Sequence, residues 1–109
     1  MGACKVEVDP GACKMNTVIV CKPSDDMMSV VFEVQTDCKF VKNYLAKLPK
    51  EIDPYTTLEQ TMGESVLYTA ANGTLNHSAC PIPCAMIKAM EVASDMGIKR
   101  DVKFTITDA

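Results

Sequence analysis

The sequence predicts an α+β domain: a small antiparallel sheet of three N-terminal strands and one C-terminal strand, with two or three helices packed on one face. Three observations lead there. Short alternating or branched segments separated by turn residues fill the first third of the chain. Segments with helical spacing, bounded by caps and prolines, follow them. With 109 residues, 48% of them hydrophobic, the chain supports one modest core and not two, so residues 1–109 read as a single domain.

Taken in order, KVEV at 5–8 alternates as a half-buried strand does, and DPGA at 9–12 is a turn by its Pro and Gly. CKMNTVIVCK gives a strand rich in branched residues, PSDD a turn, and MMSVVFEVQ a second strand of similar length, so the two form a hairpin. Asp37 is positioned to cap a helix over CKFVKNYLAKL, where Val41, Leu45 and Leu48 share one face and Pro49 ends the run. Asp53-Pro54 is a cap followed by a proline at the first helical position, which predicts a short helix over PYTTLEQTM. ESVLYTAANGTLN reads as loop with a little helix. From Pro81 to Met96 the spacing of Met86, Ile87, Met90 and Ala93 is helical, Gly97 is the expected stop, and DVKFTITD alternates as a closing strand.

Charge narrows the partners. The formal net charge is -3 and the Lys and Arg residues are scattered singly, so neither nucleic acid nor an anionic membrane has an electrostatic reason to bind. The N-terminal MGACKVEVDP has no apolar run suited to a signal peptide, and the expected location is the cytoplasm. Thiols stay reduced there, so the six cysteines read as core fillers, metal ligands or redox groups rather than three disulfides. No Ser-His-Asp set, carboxylate pair or phosphate loop is visible, which argues against a conventional hydrolase or nucleotide enzyme.

The chemistry concentrates in HSACPIPCAMIKAM, residues 77–90, where two cysteines and two prolines stand at the start of a helix. Cys38 and Cys80 both fall at helix N-termini, where free N–H groups and the helix dipole favour a thiolate. Cys13 opens a strand at an end of the sheet, and Cys84 lies one helical turn beyond Cys80. Cys13, Cys38, Cys80 and Cys84 together are four soft ligands suited to zinc or an iron-sulfur cluster. Cys4 and Cys21 read as buried fillers, and His77 as a solvated loop histidine. Lys14 and Lys39 neighbour candidate ligands and would favour their thiolates.

The order of elements and cysteines resembles the iron-sulfur cluster scaffolds of the NifU N-terminal and IscU type. HSACPIPCAMIKAMEVA also looks like the helix of the smaller cysteine domains with a Thr-Ser-Cys-Pro-Asp signature. The resemblance covers roughly residues 5–95 and rests on layout. It implies that Cys13, Cys38 and Cys80 are the three ligand cysteines, with Cys84 a candidate fourth, and that the partners are a sulfur donor or an iron-sulfur acceptor protein. Where the scaffolds carry Gly and Asp after the first cysteine, this chain has Lys14 and Met15. Asp37 stands in place of a glycine before the second, and Ala79 in place of a histidine before the third. A second, local resemblance is to the TusA-type sulfur carriers, whose Cys-Pro-x-Pro motif corresponds to CPIP and implies a persulfide on Cys80. A third reading is a non-catalytic interaction domain with structural cysteines.

Overall fold

The computed structural model describes residues 1–109 as one α+β unit. β1 (Cys4–Val8), β2 (Thr17–Pro23) and β3 (Val30–Gln35) form an antiparallel sheet in the order β1-β2-β3. They are followed by α1 (Lys39–Lys47), α2 (Pro54–Glu59), the single-turn α3 (Val66–Thr69) and α4 (Ile82–Ala93). No helix is long and apolar enough to cross a membrane.

The sheet forms because its pattern has a period of two. Thr17, Ile19 and Cys21 of β2 are buried while their neighbours are only half-covered, and Ile19 and Cys21 face Val6 and Cys4 on one side and Val34 and Phe32 on the other. α4 lies across β1 and β2 on that face. It buries Ile82, Met86, Ala89, Met90 and Ala93, and α2 and α3 pack against it. Tyr44 of α1 and Leu67 of α3 complete the centre, and both are fully buried. The Tyr44 hydroxyl donates to the Leu67 carbonyl, so the core's one buried phenol is satisfied.

The helix starts follow from their caps. The Asp53 carboxylate accepts the Tyr55 N–H at 3.0 Å, and Pro54 takes the first position, where its missing N–H costs nothing. Cys38, and not Asp37, is the residue at the head of α1, one place later than the cap expected from sequence. At the other end of α4, Asp95 rather than Gly97 adopts the left-handed conformation, with φ of 63°. Gly97 serves a different purpose, because a Cβ there would lie 2.7 Å from the Glu91 Cβ.

The C-terminal strand expected over DVKFTITD is absent. Residues 98–109 have no regular structure and are exposed. The alternation of that segment is intact, but a strand exists only when a neighbour accepts its backbone hydrogen bonds, and no sheet edge of the same chain does so. Four helices form where two or three are expected, the addition being the short turn of α3.

Candidate metal centre

Register places two of the candidate ligands at one end of the sheet. Val8 faces Thr17 and Val18 faces Gln35, so the β1–β2 turn and the exit from β3 into α1 share that end. The turn is shaped locally: Asp9 accepts the Gly11 N–H at 3.0 Å, Gly11 has φ of 81°, and Lys14 has φ of 59°. Cys13 is exposed at its tip. Thr17 and Thr36 tie the turn to the helix start. Their hydroxyls are 2.9 Å apart, and Thr36 Oγ1 accepts the Cys38 N–H at 3.2 Å. Cys38 heads α1 without using its side chain as a cap, which leaves the thiol free for other partners.

Cys80 stands just before α4, the helix that lies across β1 and β2. Its N–H donates to the His77 carbonyl at 3.4 Å, Pro81 follows as the residue before the first helical position, and Pro83 occupies the second. The two prolines fall where N–H groups would have no intrahelical acceptor. Cys80 is half-buried, and its thiol is pushed up, first by that burial and then by the charges of Cys38 and Cys13; the Ile82 N–H pulls the other way. Cys38 and Cys13 are thus within electrostatic range of Cys80, though the three thiols are not gathered closely enough to form a ready ligand set. The raised Cys80 thiol also corrects an expectation. A helix start favours the thiolate at Cys80, but the desolvation imposed by the surrounding core outweighs the single N–H and the dipole.

Tyr44 is the neighbour that the sequence pattern does not reveal. The stripe of Val41, Leu45 and Leu48 draws attention away from it, yet Tyr44 is the residue of α1 with no exposure, and Cys80 contributes after burial to raising its phenol. An aromatic residue between two apolar helical positions is the only signal available for it.

The other cysteines lie elsewhere. Cys84 is exposed and sits against Tyr68 of α3, whose phenol it pushes up after burial; both border a groove between α2 and α4 that also includes Ser65 and Lys88. Cys4 and Cys21 face each other across β1 and β2, and burial drives the Cys21 thiol up to about 12, with Cys4 adding to it. His77 is exposed. All six cysteines are unpaired.

No group of three or more His, Cys, Asp or Glu side chains is arranged to hold a metal ion. The thiol is the soft donor type that thiophilic ions take, and no carboxylate charge is among the groups acting on Cys80. Cys13 itself rides on an exposed turn.

Residues 4–106 match the family of unknown function DUF6951, and the chain belongs to that family. No curated protein and no solved structure matches the chain.

Proposed function

We propose that the protein binds a thiophilic metal, zinc or an iron-sulfur cluster, through Cys13, Cys38 and Cys80, as a scaffold-like carrier and not as an enzyme. The observation that carries this reading is that the turn bearing Cys13 and the head of α1 bearing Cys38 share one end of the sheet, with both thiols within electrostatic range of Cys80. Core filling alone gives no reason for an exposed thiol on that turn or for thiols at two helix starts. The order of strands, helices and cysteines adds the resemblance to the NifU and IscU type of scaffold.

Each residue has a distinct part. Cys38 is held by its backbone through Thr36 and Thr17, Cys80 is half-buried beside Tyr44, and Cys13 supplies the exposed third sulfur. Binding requires thiolates, so the raised Cys80 thiol makes loading release protons and become more favourable as pH rises. Cys84, turned to Tyr68, stands apart from these three, which leaves a coordination position for cargo exchange or for a ligand from a partner. That partner is a sulfur donor or a cluster acceptor. The reading places the protein in the cytoplasm, where six free thiols stay reduced.

A persulfide carrier using Cys80 alone is the weaker alternative. Handing sulfur to another protein needs an accessible, isolated thiol, and Cys80 is half-covered beside two others.

The test is anaerobic reconstitution with ferrous iron and sulfide, and separately with zinc, followed by desalting and metal analysis. The proposal expects about one ion or one cluster per chain, with retention lost in Cys13→Ser, Cys38→Ser and Cys80→Ser. A wild-type protein that retains neither zinc nor iron after desalting overturns it.

A further inference from the structure

The C-terminal tail carries a strand pattern without a strand partner. Val102, Phe104 and Ile106 alternate with Lys103 and Thr105, and their exposures are 56%, 83% and 91%. Large apolar side chains so fully in water at a spacing of two are the signature of a strand face waiting to be covered. The family match runs through residue 106, so these three positions fall within the unit that the family shares.

The sheet offers two edges, and they differ. Val30 exchanges both backbone hydrogen bonds with Ile52, at 2.8 and 3.0 Å, so its N–H and C=O point away from β2. Antiparallel pairing alternates, and Phe32 and Val34 therefore also turn their backbone groups outward, beyond the point where Ile52 stops. Beside them Phe32, Val34, Leu45, Leu48, Pro49 and Lys50 line an open groove between β3 and the end of α1. By the same alternation the outward groups of β1 belong to Lys5 and Glu7, which are exposed and ion-paired at 3.3 Å. Charges blunt that edge, whereas the β3 edge is apolar and open.

We infer that residues 102–106 of one copy add as a fourth strand to the β3 edge of a second copy, with Phe104 entering the groove. Three observations choose this occupant. The alternation of the tail matches an edge whose inner face is apolar. On the outer face, Lys103 would join the carboxylate of Glu33, which on its own sheet already pairs with Lys22. The tail also leaves its own domain at the opposite edge: Gly2 N–H donates to Ala93 at 3.0 Å, the Met1 ammonium pairs with Asp95 at 3.0 Å, and the Lys99 charge acts on Cys4 of β1. Reciprocal exchange of tails closes a two-fold dimer and hides the exposed edges of both copies.

The experiment combines light scattering across a concentration series with amide hydrogen exchange, on the full chain and on Phe104→Asp. Phe104 is exposed, so the substitution leaves the domain intact, and a chain ending at Arg100 is the second variant. The expected result is a dimer with protected Phe32 and Val34 amides, both features being lost in the two variants. A monomer at every concentration overturns the inference; if its Phe32 and Val34 amides are protected, the tail docks on its own chain instead. A dimer that persists in both variants also overturns it.

Discussion

At the scale of single residues, burial governs the thiols more than helix position does. The cysteines at helix starts are visible in the sequence, because prolines and capping positions mark where helices begin. Their ionisation is not visible, since it depends on neighbours brought in from other segments. Cys80 shows this: its place before Pro81 favours the thiolate, and the core around it reverses the outcome. In metal-free, reduced protein, alkylation should therefore modify exposed Cys13 and Cys84 first and half-buried Cys38 and Cys80 later. Cys21 should react only on unfolding. Peptide mapping against time checks the order, and early modification of Cys80 would remove the case for its shielded thiol.

Cys21 also sets a pH dependence. Its thiol rises from 9.0 to about 12 in the folded protein, so the neutral form is the one the core accepts. Between those values the unfolded chain releases a proton that the folded chain keeps. Stability is thus unaffected below about pH 9 and falls above it, by up to about 1.4 kcal/mol per pH unit for this group. Tyr44, raised for the same reason, adds to the fall at higher pH. Denaturation between pH 8 and 11 under reductant should show a shallower decline for Cys21→Ala than for the wild type. Equal slopes would mean that Cys21 is not buried as a neutral thiol.

At the scale of elements, the strands and the main helices were legible because their signals are local. The alternation of β2, the Asp53-Pro54 start of α2 and the helical spacing of α4 need no distant partner to be read. Boundaries were less legible. α2 ends at Glu59, before the Met62 expected, where the chain turns so that Thr61 can donate to Glu64. The closing strand failed for a different reason, since sequence reports the propensity of DVKFTITD but not whether an edge lies within its reach. Asp53→Ala should lower the melting temperature, and the difference should vanish as pH falls through the lowered Asp53 carboxyl, whose charged form is held by Thr56 and the helix N–H groups. In α4, Met86 is fully buried, so Met86→Ala should cost about 2–5 kcal/mol in chemical denaturation. A smaller loss would show that the helix is less firmly seated on β1 and β2 than its burial indicates.

At the scale of the whole molecule, the proposed site depends on the topology. Cys13 and Cys38 share an end because the strand register puts the first turn beside the exit of β3, and the proposed site adds Cys80, which precedes the helix that lies across the same sheet. The likeness of the element and cysteine order to scaffold proteins implies such a shared site, which is the proposal. What it could not supply was the neighbour of Cys84, whose four-residue spacing from Cys80 suggests a shared face while it sits against Tyr68 of α3. The unfolded chain has no preformed site, so metal binding should raise the melting temperature, with a larger shift at pH 8 than at pH 6 because protons compete for the sulfurs. Thermal scans of zinc-loaded and chelator-treated protein at the two values check this.

The most direct measurement of the central claim is differential alkylation of zinc-loaded, native protein, read cysteine by cysteine by mass spectrometry. Cys13, Cys38 and Cys80 should be protected together and released together by chelator, while Cys84 reacts at the same rate in both states. Protection confined to any other set, or the same rates for Cys13, Cys38 and Cys80 with and without metal, would contradict the three-thiol site.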